Sequence, residues 1–255
     1  MTKICYFSGT GNTLWSAKKI ADSIGGGCEL INIGQAPFED GIVLEADAIV
    51  VLFPSYAYGL PVVVRRFLQK AVFKTPYAAA LVTFGTSQGG TLAQAARIIR
   101  QKNIAAVYYG LIPAVENYIP IFGSPTEETV RKRTAMQREA TEDAARRIIE
   151  RQVNSISMVH PLSSFVSLLF CRGVNYFYKR YKVSESCNGC GICAQMCPVS
   201  AVTMRDTRPE FSGKCEHCNG CINWCPQKAI GFWGYRPNQA RYHHPEITVA
   251  QMSVK

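Results

Sequence analysis

Eight of the chain's eleven cysteines fall between Cys187 and Cys225, and their order restricts the fold more than any other feature. Cys187, Cys190, Cys193 and Cys197 form one set, and Cys215, Cys218, Cys221 and Cys225 repeat it twenty-eight residues later with the same steps of three, three and four. Pro198 and Pro226 follow directly on the fourth cysteine of each set. Such a density in a short secreted chain would suggest disulfides, whereas triplets at this spacing are metal-ligand patterns and imply a reducing, cytoplasmic setting. Zinc sites use pairs of C-x2-C separated by a longer spacer, which is not the pattern here.

The doubled run C-x2-C-x2-C-x3-C-P resembles the bacterial two-cluster ferredoxins. The resemblance covers roughly residues 183–232 and implies two 4Fe-4S clusters, hence electron transfer. In that family three cysteines wrap three corners of a cubane while the fourth reaches across to the other cluster. On this resemblance Cys187, Cys190, Cys193 and Cys225 hold one cluster, and Cys215, Cys218, Cys221 and Cys197 hold the other. Proline after the fourth cysteine constrains the exit path, and Gly191 and Gly220 are expected to relieve crowding. His217, inside the second loop, is expected to face solvent or to support a ligand from behind. Cys5, Cys28 and Cys171 lie in strand or apolar contexts and read as packing residues.

Upstream, the first 110 residues alternate apolar strand-like runs with amphipathic helical segments, the pattern of an open parallel α/β sheet. Expected strands are Lys3–Phe7, Glu29–Ile33, Ala48–Phe53, Ala78–Phe84 and Ala105–Leu111. Expected helices are Asn12–Ile24, Val62–Ala71 and Thr91–Lys102, with a longer one from Thr126 to about Gln152 whose acidic start and basic end suit the helix dipole. The fold expected is a doubly wound five-stranded parallel sheet followed by a small α+β module. The organisation expected is 1–152, a linker at 153–182, the cysteine-rich module at 183–232 and a tail at 233–255.

Ser8-Gly9-Thr10-Gly11-Asn12-Thr13 follows the first strand and opens the first helix, which is where open α/β sheets bind phosphate. Glycines let the backbone close on oxyanions, and the hydroxyls add neutral donors. A Walker loop would carry Gly-Lys-Ser/Thr, and a dinucleotide loop G-x-G-x-x-G; neither is matched.

This loop resembles that of flavodoxins, where Ser/Thr-x-Thr-Gly-Asn-Thr grips the phosphate of FMN. Two further loops fall where that family contacts the flavin ring: Pro54, Ser55, Tyr56, Ala57, Tyr58 and Gly59, then Gly85, Thr86, Ser87, Gln88 and Gly89. Both follow carboxyl ends of strands. Tyr118 is a candidate to fold over the ring. Flavodoxins are usually strongly acidic and often cover both ring faces with aromatics. Here Tyr56 and Tyr58 serve one loop and only Phe84 edges the other, so one face is expected to be open to a substrate, a second flavin or the attached cysteine module. The whole chain resembles the bacterial and archaeal fusions of a flavodoxin-like domain with a two-cluster ferredoxin.

The formal charge of +10 counts every cysteine as neutral. Two oxidised clusters would remove about four units and a bound phosphate roughly two more, leaving a mildly basic protein. That argues against a nucleic-acid partner and suits a redox protein, an acidic one included, with a small-molecule acceptor as the other candidate. Residues 151–186 are the most one-sided, with five basic and one acidic. The apolar and basic stretch Leu162–Lys182 is expected to pack the halves together or wall the cofactor cleft, with membrane-surface or partner docking as alternatives. No signal peptide or transmembrane helix is expected. The function expected is electron relay between two 4Fe-4S clusters and FMN. Its alternatives are a flavin-dependent reductase of a small molecule and a non-catalytic module with structural clusters.

Overall fold

In the computed structural model, residues 1–37, 41–156, 161–232 and 239–253 are described, with the side chains of 161–164, 171 and 175 outside that description. The expected packing of Cys171 and part of the expected tail, 233–238, therefore lie outside the described residues.

The N-terminal half runs β1 (Thr2–Tyr6), α1 (Asn12–Ile24), β2 (Cys28–Asn32), β3 (Val43–Glu45), β4 (Ala48–Pro54), α2 (Val62–Lys70), β5 (Val72–Lys74), β6 (Tyr77–Phe84), α3 (Thr91–Arg100), β7 (Ala106–Pro113), α4 (Ile119–Phe122) and α5 (Glu127–Ile149). Five strands form one sheet in the order β2-β1-β4-β6-β7, all parallel. Counting only these five, the order is second, first, third, fourth, fifth: the flavodoxin-like doubly wound arrangement, with its switch point between β1 and β4. The expected fold class is the observed one. Short β3 and β5 form a separate parallel pair that sequence reading did not anticipate.

Period-two alternation sorts the sheet's side chains onto two layers. Cys5, Phe7, Val51, Phe53, Ala80 and Val82 pack with Val64 and Phe67 of α2 and with Leu92 and Ile99 of α3. On the opposite face Ile4, Val50, Leu52, Ala79 and Leu81 pack with Ala17 and Ile20 of α1 and with Ala144 and Ile148 of α5. Because both faces are covered, β4 and β6 are apolar along nearly their whole length. Thr126 caps α5 by accepting the Thr129 N–H at 3.1 Å, and Glu127 with Glu128 fill the first turn.

The chain then continues through α6 (Pro161–Phe177), a short 3-10 turn (Tyr178–Arg180), β8 (Tyr181–Val183), α7 (Ile192–Gln195), β9 (Val202–Arg205), β10 (Arg208–Phe211), α8 (Gly220–Asn223), β11 (Ile230–Phe232) and α9 (Val249–Met252). β8 pairs antiparallel with β11, and β9 with β10. Cys193, Cys197, Cys215 and Cys221 belong to a third core with Ile222, Ile230 and Phe232. A fourth core gathers Leu14 and Trp15 of α1, Met196 and Trp224 of the cysteine loops, and Ile247 and Met252 near the C-terminus. It binds three distant stretches of sequence into one body. Among the described residues no helix is long and apolar enough to cross a membrane.

Candidate functional site

The loops after β1, β4, β6 and β7 open at the carboxyl edge of the sheet onto a cavity of about 910 Å³. Ser8, Gly9, Thr10, Asn12, Thr13, Pro54, Ser55, Tyr56, Ala57, Tyr58, Gly85, Thr86, Ser87 and Tyr118 line it; Gly11, Gly59, Gln88 and Gly89 do not. These four hold the loops in shape instead. Gly11 takes φ +95° ahead of α1, a conformation side chains resist, and a Cβ on Gly59 would stand 1.7 Å from Ser167 Oγ of α6. Gln88 accepts the Leu92 N–H through its side-chain oxygen, and its carbonyl accepts from Ser55. Gly89 lies against Tyr58, where a Cβ would meet Tyr58 Cβ at 2.4 Å.

The glycine loop is tied down by groups far away in sequence. The Asn12 amide donates to the Val115 carbonyl at 3.0 Å and accepts from the Tyr242 hydroxyl at 2.7 Å. Thr10 Oγ1 accepts from Asn117 at 2.6 Å, and the Thr10 carbonyl accepts the His244 N–H at 2.8 Å. Thr13 and Thr83 share a hydroxyl bond of 2.8 Å. Arg133 binds the Phe84, Gly85 and Ala114 carbonyls, locking the third and fourth loops together. The first N–H groups of α1 have no helical acceptor and face the loop, which is the usual anion-binding arrangement.

Of the two loop aromatics, Tyr58 is 43% exposed at the rim. Tyr56 stands edge-on to Phe7 at 6.2 Å, with its hydroxyl sealed from solvent and unpartnered. Burial, reinforced by Cys218, Glu216 and Cys215 nearby, pushes its phenol well above the ordinary value. Ala57 and Tyr58 both adopt positive φ, at 46° and 63°.

The opposite wall comes from the C-terminal half: Phe170, Gly173, Tyr176 and Phe177 of α6, Arg180, and then His217, Cys218, Asn219 and Phe232. The stretch expected to wall the cleft thus contributes a helix to it. Along the outer stripe of α6, Phe165, Leu168, Leu169 and Tyr176 are exposed, and so are Ile121 and Phe122 of α4 at the cavity's rim.

The glycine loop and the second cysteine loop touch. A Cβ on Gly9 would stand 2.8 Å from Cys218 Cβ and 3.0 Å from its sulfur. Trp224 Nε1 donates to the Gly9 carbonyl at 3.2 Å. Glu216 reaches out of the same cysteine loop to accept the Val62 and Val63 N–H groups, each at 2.8 Å, capping α2 with a buried carboxyl. Burial raises that carboxyl to about 7, against the lowering effect of the two N–H bonds and Arg66. Gly220 explains itself here: its Cβ would meet the Gly9 carbonyl at 2.7 Å. Gly191 does not relieve crowding. Nothing lies within 4 Å of its Cβ position, and φ +73° is what requires glycine.

Four of the eight cysteines line one small cavity, and the charge interactions run both within and across the two loops, Cys193 acting on Cys221 as well. Cys193 feels Cys225, Cys190 and Cys187, which together line a small separate cavity. Cys197 acts on Cys215, on Cys218 and on Cys221. Backbone N–H groups point at three sulfurs: Ala201 to Cys197 at 3.1 Å, His217 to Cys215 at 3.3 Å and Ala229 to Cys225 at 3.3 Å. Such donors stabilise thiolates. Burial raises the Cys193 and Cys215 thiols to about 11 and the Cys218 and Cys221 thiols further. Among the described residues no three His, Cys, Asp or Glu side chains gather closely enough to hold a metal ion. Of the remaining thiols, Cys5 is buried in β1 and Cys28 half-buried in β2.

His217 is not solvent-facing. It is 3% exposed, enclosed by Tyr118, Phe177, Tyr181 and Phe232, and both ring nitrogens are engaged. Asn117, Glu216 and the His243-His244 segment are contributions that sequence reading missed, whereas His217 was singled out for a solvent-facing or supporting position and is buried. The only hint lay in Trp15 and Trp224, whose rings stack on His244 and His243 at 4.9 and 3.9 Å.

Residues 181–203 match the 4Fe-4S binding domain family. This segment, which holds the first cysteine set, is an iron-sulfur module and gives the chain one-electron redox chemistry. The chain matches no curated protein. Among solved structures it is similar to a flavodoxin from Streptococcus pneumoniae TIGR4, at 19% identity over 56% of this chain and 98% of that one, with a TM-score of 0.36. It is also similar to a flavoprotein from Bacteroides uniformis ATCC 8492, at 16% over 54% and 96%, TM-score 0.35. A flavone reductase aligns at 12% identity over 60% of this chain and 66% of that one, TM-score 0.36.

Proposed function

We propose that the chain is an iron-sulfur flavoprotein that relays electrons between two 4Fe-4S clusters and an FMN held in the large cavity, and that it serves as a carrier for other redox proteins. In this reading Cys187, Cys190, Cys193 and Cys225 hold one cluster and Cys215, Cys218, Cys221 and Cys197 the other. Residues 1–152 form the flavin-binding unit and 183–232 the cluster-binding unit, joined by 153–182 and followed by 233–255.

The single observation that supports this most is the contact of Gly9 with Cys218. A residue of the phosphate-type loop touches a cluster-type cysteine, and both line one cavity. A free ferredoxin would have no reason to bury a ligand there. FMN, when bound, exchanges one or two electrons whereas each cluster exchanges one, so their union converts between the two regimes. The chain's own part is placement: the N-terminus of α1 for phosphate, the loops at 54–59 and 85–87 for the ring, and Cys218 at the shared wall.

A second reading, a flavin-dependent reductase of a small molecule, is favoured by one feature. The cavity is walled on its outer side by exposed Ile121, Phe122 and Tyr176, leaving an apolar mouth for an acceptor.

Anaerobic purification followed by iron, sulfide and flavin analysis tests the assignment, with about eight irons and one FMN expected. Protein that binds clusters but cannot be loaded with flavin would sink both readings. Turnover of a small acceptor without a protein partner would then favour the reductase over the carrier.

A further inference from the structure

Asn223 is the last residue of α8, in the second cysteine loop, and its side chain is buried. Its Nδ2 donates to the Asn117 carbonyl of the fourth loop and to the Asn219 carbonyl, each at 3.1 Å, and its Oδ1 accepts the Tyr242 N–H at 3.1 Å. Two carbonyls on one side and an N–H on the other fix which way the amide points.

Both of its distant partners carry the connection on to the glycine loop. Asn117 Nδ2 donates to Thr10 Oγ1 at 2.6 Å, and the Tyr242 hydroxyl donates to Asn12 Oδ1 at 2.7 Å. Asn12 cannot turn its amide around, because its Nδ2 is held by the Val115 carbonyl. Trp224, the next residue after Asn223, donates to the Gly9 carbonyl. Thr10, Asn12, Asn223 and Tyr242 are all buried, and buried polar groups depend on such partners. Residues 1–152 thus supply the glycine loop, while much of what holds its shape comes from residues 223, 224 and 242.

A hydroxyl has one proton to give. Thr10 Oγ1 accepts from Asn117, and Ser8 Oγ accepts the Gly11 N–H at 3.2 Å. Each of these hydroxyls therefore keeps its own proton for an occupant of the cavity, which both residues line. With the first N–H groups of α1 beside them, the loop is set to donate, as a phosphate requires.

We propose that Asn223 and Tyr242 are positioning residues of the phosphate site. From outside the flavin-binding unit they hold Thr10 and Asn12 in the geometry that takes the FMN phosphate, so the second cysteine loop and the C-terminal stretch set how tightly that end of the cofactor binds. Neither residue lines the cavity, and both act through the loop. This inference rests on the FMN reading above.

The test is flavin titration of the full chain, followed by fluorescence quenching, with FMN and with riboflavin, which lacks the phosphate. Tyr242→Phe keeps the ring and the backbone N–H and deletes only the donor to Asn12. It is expected to bind FMN about fivefold more weakly and riboflavin as the wild type does. Asn223→Ala, which removes both connections, is expected to lose more FMN affinity, again with riboflavin unmoved. A residue that merely stabilised the fold would weaken both flavins together. Unchanged FMN affinity in Tyr242→Phe, or equal losses with the two flavins, would overturn the proposal. Should Asn223→Ala lose iron or fail to fold, Tyr242→Phe decides alone. Should riboflavin bind the wild type too weakly to compare, the phosphorus resonance of bound FMN takes its place: a shift in Tyr242→Phe supports the proposal and an unmoved resonance overturns it. Wild-type protein that takes up no FMN would instead overturn the parent reading and this one with it.

Discussion

Gly220 lies under the Gly9 carbonyl so closely that a Cβ on Gly220 would stand 2.7 Å from that oxygen. The two residues are over two hundred positions apart, and their contact joins the sheet's first loop to the second cysteine loop. Gly220→Ala must push these loops apart, at a cost of about 1–3 kcal/mol from overpacking. Denaturant unfolding of the variant measures it, and an unchanged midpoint would contradict the close packing.

On the proposed ligand pairing, Cys197→Ala is expected to damage the cluster assigned to Cys215, Cys218 and Cys221 and to leave about four irons. Iron analysis with paramagnetic resonance of the remaining signal checks this. Loss of the Cys187 cluster alone would refute the crossed assignment.

Glu216 accepts two N–H groups at the start of α2 from a loop of the other half. Glu216→Ala leaves both donors without that carboxyl and should cost about 1–3 kcal/mol in unfolding free energy. Glu216→Gln keeps one acceptor oxygen and should lose less. Equal losses would mean that the carboxyl's hydrogen bonds are not what holds the helix end.

His244 is buried against Trp15, and its Nδ1 accepts the Glu246 N–H at 3.2 Å. Burial, helped by Arg138 and His243 against Glu246, lowers it from 6.5 to about 4. The unfolded chain therefore takes up this proton below about 6.5 while the folded chain refuses it until about 4. Stability falls as pH falls through that window, by up to about 3 kcal/mol from this group. His244→Gln should flatten the acid side of the melting-temperature profile; a slope equal to wild type would show that His244 does not control it.

Local pattern carried the sheet a long way. Asn12–Ile24 was legible to the residue because Gly11 and Gly25 bracket an amphipathic run. β4 and β6 were legible because strands buried on both faces must be apolar throughout. The glycine loop's place followed from being the first turn after the first strand. The fourth loop, Ala114–Tyr118, was seen only at Tyr118, because Val115 and Asn117 bear on the site through hydrogen bonds to Asn12 and Thr10 that no local pattern reveals. The stretch 153–182 read as a connector because it mixes serines with aromatic and apolar residues, yet it forms α6, which packs Ser167 directly over Gly59.

Spacing alone was enough to determine the doubled cysteine motif and the phosphate-type loop, since ligand geometry and helix entry are written in neighbouring residues. Only tertiary contact could decide that Cys218 faces the same cavity as Gly9, that His217 turns inward to two tyrosines, and that residues 242–244 brace a loop more than two hundred positions away. The physical reason is that the fourth core, from Leu14 and Trp15 to Met196, Trp224, Ile247 and Met252, is assembled from scattered side chains. Each looks ordinary in its own stretch, and their burial against one another is what presses the two halves into a single site.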